Sequence, residues 1–358
     1  MTQQITGEVN QERLNEFLGR FVADLGATLH APTVILGERL GLYKAMAAAG
    51  PLTPGELASR TGVSERYLRE WLSAQAAAGY AMYDAGSGMY RLTPEQAYAL
   101  ADEKSPAYVP GAFYISASVF SDQEKIAEAF RTGAGVGWHE HDIDLFRGTE
   151  KFFRPGYSAN IVSSWLPAMD GVVEKLGRGA MVADIGCGHG ASTIIMAKAF
   201  PESTFVGYDY HDRSIQEARR AAEREGVSDR VRFEVASAKS FPGKGYDLVT
   251  IFDALHDMGD PAGAASHVRQ AMRPDGTWLI VEPYANGKVE DNLNPVGRIF
   301  YSASTMICTP NSVAQEVGLA LGAQASDQRI EEVVRQGGFT RFRRAAQTPF
   351  NRIFEARP

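Results

Sequence analysis

The run Met181-Val182-Ala183-Asp184-Ile185-Gly186-Cys187-Gly188-His189-Gly190 constrains this chain more than any other stretch. An apolar segment with strand character ends in Asp184, turns through three alternate glycines and opens into a helical pattern from Ala191. Glycine has no Cβ, so the backbone there can turn sharply and approach a ligand closely. The first N–H groups of the helix that follows have no partner within it and can face an anionic ligand group.

The texture after Gly179 repeats strand then helix. Strands are expected at Met181–Ile185, Thr204–Tyr208, Val231–Val235, Tyr246–Phe252 and Thr277–Val281. Helices are expected at Ala191–Phe200, His211–Gly226 and Pro261–Met272, with a late one around Ile330–Gln336. Phe339–Ala346 and Phe350–Ala356 read as a closing antiparallel pair. Strands that alternate with helices imply a doubly wound, mostly parallel sheet, here of seven strands. Ligands bind such sheets beyond the carboxyl ends of the strands. Asp209 stands at one such end, where a carboxylate can accept hydrogen bonds from two ribose hydroxyls.

The first third has a different texture. Leu14, Phe17, Leu18, Phe21, Val22 and Leu25 form one stripe of a 3.6-residue period, so an amphipathic helix is expected. A second helix is expected from Pro32 to about Gly50. Thr53-Pro54 is a helix start, Thr61-Gly62-Val63 a tight turn, and Ser64 a cap for a helix whose Tyr67, Leu68, Trp71 and Leu72 share a face. Tyr80–Tyr83 and Met89–Leu92 flank a Gly-Ser-Gly turn and read as a β-hairpin. Helix, turn, helix and hairpin make the winged-helix pattern. From Lys104 to Leu176 the chain is aromatic and poorly periodic. The expected division is 1–105 (N-terminal helices and winged helix), 106–176 (helical connector and lid) and 177–358 (ligand-binding α/β domain).

Composition removes several alternatives. With 358 residues and a net charge of −7, the chain as a whole is a poor match for a phosphate backbone. Cys187 and Cys308 offer neither a disulfide framework nor a zinc spacing, which fits a reducing compartment. The N-terminus has no apolar signal core, and no run approaches the roughly 18 apolar residues of a membrane span. A cytoplasmic location without membrane attachment is expected.

Gly186-x-Gly188-x-x-Ala191 alone also fits the looser nicotinamide-binding fingerprint. The acidic residue two positions before the first glycine, and the Arg273-Pro274-Asp275-Gly276-Thr277 turn before a strand, favour another reading. Together with Asp209 and Asp253-Ala254-Leu255-His256-Asp257, these motifs resemble class I S-adenosylmethionine-dependent methyltransferases. The added winged helix resembles small-molecule O-methyltransferases, including a bacterial branch similar also at Thr309–Gln324 and Gln347-Thr348-Pro349-Phe350-Asn351. The resemblance implies a Rossmann-like fold with S-adenosylmethionine as cofactor and S-adenosylhomocysteine as product.

It further implies that Asp184, Gly186, Cys187, Gly188 and Gly190 border the methionine part of the cofactor. Asp209 would hold the ribose, Tyr210 would cover the adenine, and Ser237 with Ala238 would approach its edge. Phe252 and Asp253 would pass beside the methionine end. Ser237 stands where the family usually has an acid, so any contact there lacks charge assistance.

His256 resembles the family's general base, oriented by Glu282 and flanked by Asp257; the plant-type enzymes' second orienting carboxylate has no match near Gln324. An imidazole can take the proton of a hydroxyl as the methyl group moves. Transfer to nitrogen, sulfur or carbon needs no such base, so those reactions stay open. Tyr157, Arg298 and Tyr301, with Asn294 and Met306, are candidate walls for a small, apolar or aromatic acceptor. His139 and His141 lack helical zinc spacing, and no metal is expected.

A regulator that senses the cofactor and reads DNA is the competing function. From Thr53 to Lys104 five basic residues (Arg60, Arg66, Arg69, Arg91, Lys104) stand against seven acidic ones, whereas a DNA-reading helix needs a basic excess. No nucleic-acid partner is expected. The resemblance implies a homodimer through the N-terminal domain, and the stripe from Leu14 to Leu25 fits such an interface.

Overall fold

A computed structural model describes residues 8–358, so the first part of the N-terminal stretch read above as lacking a signal core lies outside the described residues. The chain divides into two compact units, one running to Ser116 and the other from Ala117 to Pro358.

In the first unit, α1 (Gln11–Arg39) is longer than the periodicity suggested, because Pro32 sits inside it. Proline removes one N–H and usually breaks a helix. Here Pro32 and Thr28, the residue whose carbonyl it leaves unpaired, are both solvent-exposed, so water can take the missing hydrogen bond. The turn comes instead at Gly41, in the left-handed conformation, and α2 (Leu42–Ala49) follows.

α3 (Pro54–Thr61) starts at Thr53, whose side chain and that of Glu56 cap each other's backbone N–H groups. α4 (Glu65–Ala77) begins after Ser64, which makes no side-chain cap bond. Leu68, Trp71 and Leu72 of α4 are buried, but Tyr67 is 77% exposed and does not share their face. The hairpin β1 (Met82–Asp84) and β2 (Met89–Arg91) forms the wing, and Leu52 adds a bridge to Tyr90. α5 (Pro94–Leu100) closes the module with a second reciprocal cap, Thr93 with Gln96. The core gathers Val34, Leu42, Tyr43, Met46, Leu57, Leu68 and Leu72. The expected α1 stripe packs on none of these: Phe17, Leu18, Phe21, Val22 and Leu25 are all exposed.

α6 (Ala112–Ser121) carries the chain across the division. The second unit then builds α7 (Gln123–Thr132), α8 (Ile143–Asn160) and α9 (Val172–Arg178). The α/β part follows with β3 (Met181–Ile185), α10 (Ala191–Ala199), β4 (Thr204–Asp209), α11 (Asp212–Arg224), β5 (Val231–Val235), β6 (Tyr246–Phe252), α12 (Pro261–Ala271) and β7 (Met272–Pro283). α13 (Pro295–Ala303), α14 (Thr309–Val313), α15 (Asp327–Gln336), β8 (Arg341–Gln347) and β9 (Asn351–Arg357) complete it. The expected seven-stranded sheet has the order β5-β4-β3-β6-β7-β9-β8. Every pair from β5 to β7 is parallel, and β9 runs antiparallel to both β7 and β8. The Arg273–Gly276 turn appears as a bulge, since pairing to β6 jumps from Met272 to Thr277.

Two apolar layers cover the faces of this sheet. The chain order reverses at β3, whose neighbours are β4 and β6, so a crevice opens beyond their carboxyl ends. Among the described residues no helix is long and apolar enough to cross a membrane.

Candidate active site

A cavity of about 480 Å³ occupies that crevice, lined wholly by residues of the second unit. Its floor is the glycine turn after β3. Gly186, Gly188 and Gly190 all have positive φ, of 68°, 53° and 81°. A Cβ on Gly190 would stand 2.5 Å from the Phe233 ring, so glycine there is demanded by packing as well as by conformation. Gly190 accordingly caps α10 beneath the turn, and it is Gly186, Cys187 and Gly188 that face the cavity.

Asp184 also lies beneath. Its carboxylate accepts from Ser192 Oγ (2.6 Å), Thr193 Oγ1 (2.6 Å) and Thr250 Oγ1 (2.8 Å), tying β3 to α10 and β6. It does not line the cavity, so its place in this structure is that of a brace for the turn. Burial raises its pKa, and the three hydroxyl donors oppose that rise.

Asp209 lines the cavity at the end of β4. Its oxygens accept from the Gly188 N–H (3.0 Å) and the His211 N–H (2.8 Å). A carboxylate has about four acceptor positions, so it can take ligand hydroxyls as well. Beside it Tyr210, Ser237, Ala238 and Lys239 line the same end, and Lys239 pairs with Asp260 (3.2 Å) and Glu316 (2.7 Å).

Further walls are ionisable and aromatic. Phe252, Asp253 and Ala254 leave β6 at the cavity edge, under Phe153 and Tyr157 of α8. Asp253 has φ +49°, a conformation that costs most L-residues about 1–2 kcal/mol and that Asp and Asn tolerate best. Its carboxylate accepts from Tyr157 Oη and from Asn351 Nδ2, each at 2.8 Å. Burial, then the nearby Glu282 charge, pushes the Asp253 pKa up to about 8. Burial and the Asp253 carboxylate hold the Tyr157 phenol well above its ordinary value.

His256 lies on the short turn after β6, behind Asp257. Its Nδ1 is 2.7 Å from Glu282 Oε2, and Glu282 Oε1 accepts from the Leu255 N–H at 3.1 Å. The expected pairing of His256 with Glu282 is therefore present. A carboxylate also stands at the other ring nitrogen: Asp257 Oδ1 is 3.2 Å from His256 Nε2. Neither His256 nor Glu282 lines the cavity, whereas Asp257 does. Burial alone would lower the His256 pKa, but the Asp257 and Glu282 charges outweigh it and hold it well above its ordinary value. Donor atoms of His256, Asp257 and Cys308 lie within 4.8 Å of one another, a set that could hold a metal ion.

Arg298 and Tyr301 of α13 are not among the cavity walls. Of the two histidines weighed for a metal, His141 has its Nδ1 2.8 Å from Asp122 Oδ2, and His139 sits on a short helical turn. Residues not expected at the site also line the cavity: Trp138, Glu150 and, from the Thr309–Gln324 stretch, Asn311 and Gln315. Asn311 explains how they arrive, because it accepts from the Trp138 N–H (2.9 Å) and donates to the Asp257 carbonyl (3.2 Å). Asn351 belonged to a motif noted in the sequence, but its hold on Asp253 comes from the β9 pairing with β7.

Comparison with known proteins matches both parts of this chain. Residues 176–338 match the family described as "Methyltransferase domain", and residues 29–102 match "Rv2258c-like winged HTH domain". Mouse acetylserotonin O-methyltransferase is 25% identical over 365 residues, covering 94% of this chain and 88% of that protein. Sterol 24-C-methyltransferase of Aspergillus fumigatus is 30% identical over 119 residues, 31% of this chain. The chain spans about a third of the length of that fungal relative. The structure of human N-acetylserotonin methyltransferase in complex with SAM superposes with a TM-score of 0.69 at 17% identity, covering 99% of each chain, and so shares the fold.

Proposed function

The chain carries a methyltransferase domain behind a winged helix-turn-helix domain, and on that premise we propose that it is an S-adenosylmethionine-dependent methyltransferase acting on the oxygen of a small, hydroxylated, aromatic or otherwise apolar acceptor. The observation that carries this reading is the make-up of the cavity wall. It joins a glycine turn and a ribose-competent carboxylate to aromatic rings and the ionisable Asp253 and Asp257. S-adenosylmethionine supplies a methyl group on a cationic sulfur. Gly186, Cys187 and Gly188 border its methionine part, Asp209 takes the ribose hydroxyls, and Tyr210 with Ser237 and Ala238 flanks the adenine. Oxygen as the acceptor atom draws support from the mouse relative's name and from the His256–Glu282 pair.

In this reading His256 is the base. Glu282 holds Nδ1, so the proton of the acceptor arrives at Nε2, past Asp257 at the cavity wall. Tyr157 roofs the acceptor. The position of His256 behind Asp257 favours a second reading, in which the methyl group goes to nitrogen, sulfur or carbon without a histidine base.

The winged helix is read as an assembly module with no nucleic-acid partner. On α4, Arg66 pairs with Glu70 and Arg69 with Glu65, so its basic groups are already matched by acids. The exposed α1 stripe, with Phe17 and Val22 each 66% exposed, supports a homodimer through this domain. Light scattering should give twice the chain mass, and Phe21→Asp should return it to one; a wild-type monomer at micromolar concentration rejects the dimer.

The cofactor test is calorimetric titration with S-adenosylhomocysteine and, separately, NADH. Micromolar binding of the former, weakened roughly 10- to 100-fold in Asp209→Ala, is expected. A preference for NADH would overturn the reading.

A further inference from the structure

Asp253 is the one cavity wall that joins a strained backbone, two side-chain donors and a crowd of like charges. Its φ of +49° turns the carboxyl group off the end of β6, and its N–H is held by the Val281 carbonyl at 2.8 Å. It sits alongside the glycine turn, since a Cβ on Gly186 would stand 3.0 Å from the Ala254 methyl. The groups that face it come from every side. Tyr157 Oη reaches it from α8, Asn351 Nδ2 from β9, the Glu282 charge from β7, and His256 with Asp257 from the turn beyond β6. Three carboxyl groups, the buried Glu282 and the half-buried Asp253 and Asp257, thus share one imidazole, which pairs with Glu282 and Asp257 and leaves Asp253 out. Asp253 is left with neutral donors and no cation of its own.

We propose that Asp253 is a proton-exchanging counter-charge for the sulfonium of S-adenosylmethionine: its carboxyl group holds a proton in the free protein and releases it when the cationic sulfur binds. The neutral sulfur of S-adenosylhomocysteine elicits no release. The inference rests on the cofactor reading above and adds to it a way to tell substrate from product by charge. Desolvation at this half-buried wall, then the Glu282 charge, raises this carboxyl to about 8, which favours the protonated form near neutral pH. A positive charge placed beside it favours the ionised form. Affinity for S-adenosylmethionine should then rise with pH, by up to about tenfold per unit below the free-state pKa, and level off above it. Affinity for S-adenosylhomocysteine should lack that slope. The product therefore leaves a cavity in which Asp253 regains its proton.

The test is calorimetric titration of the full chain with each ligand at neutral pH, in two buffers of different ionisation enthalpy. Wild type should release close to one more proton with S-adenosylmethionine than with S-adenosylhomocysteine. Asp253→Asn should abolish the difference; Asn is the residue best suited to keep the positive φ. Tyr157→Phe removes a donor to the carboxylate, so it should move the levelling of the affinity profile to higher pH. Equal proton counts for the two ligands in wild type, or a difference that persists in Asp253→Asn, overturns the proposal. Failure of both ligands to bind would overturn the cofactor reading and this inference with it, so the two failures are distinguishable.

Discussion

Two sets of carboxylates around the cavity are held in different ways. Asp184 and Asp209 are held by neutral donors: three hydroxyls for the first, two backbone N–H groups for the second. Beyond β6, Glu282 and Asp257 bracket an imidazole, and Asp253 sits among them. Neutral donors fix a geometry and favour the charged form of the group they hold. Charged neighbours make each group's protonation depend on the others. The first set holds a shape; in the second, protonation is coupled.

The sharpest way to break this contrast is at His256. His256→Ala should slow turnover of an accepted hydroxyl substrate by about 10²- to 10⁴-fold, the usual worth of a general base. Affinity for S-adenosylhomocysteine should stay within a few-fold. Unchanged turnover by a methyl-transfer assay would transfer the case to the reading without a histidine base.

In the first set, Asp209→Ala should weaken S-adenosylhomocysteine by roughly 10- to 100-fold, as expected for lost hydrogen bonds to a charged group worth about 1.5–3 kcal/mol. Calorimetry reads this directly, and an unchanged Kd would remove Asp209 from the ribose.

Asp184→Ala should act on stability instead, because it orphans three hydroxyl donors in the core. A loss of about 1–3 kcal/mol is expected for leaving buried polar groups unsatisfied. It would appear as a lower urea midpoint with cofactor affinity falling only as far as the turn loosens. Full stability with lost binding would show that Asp184 touches the ligand after all.

The smallest effect is a shape. A base must be neutral, and the His256 pKa is held above its ordinary value by Asp257 and Glu282. Turnover should therefore fall as pH drops through that raised value, and the rising limb should lie above the usual histidine range. Asp257→Asn removes one supporting charge and should move the limb to lower pH. A limb that stays in place would dissociate Asp257 from the histidine.

Much of this was readable in the residues. The strand–glycine–helix run, the alternation after Gly179 and the hairpin at Met82–Arg91 are local patterns, and local patterns set backbone geometry within a few residues. The winged helix was legible because its turn and caps, Thr53 with Glu56 above all, are short-range devices. Three readings needed more than a window of sequence. Pro32 fails to end α1 because the neighbouring surface is solvent, which no local rule reports. Asp184 and Gly190 carry the motif's spacing yet face the core, since β6, α10 and the Phe233 ring meet them there. Arg298 and Tyr301 follow β7 in sequence but not into the cavity.

The sequence by itself determined the sheet, the glycine turn and Asp209 at a strand end, because each follows from periodicity and the strand–helix alternation; the pairing of His256 with Glu282 was implied by the family resemblance. Only the tertiary structure decided which of those side chains face the cavity, and that Asn351 and Tyr157 meet on Asp253. Those contacts join residues about a hundred positions apart. Their pairing depends on how β9 returns beside β7 and how α8 crosses the strand ends, and packing over such distances leaves no local trace in the chain.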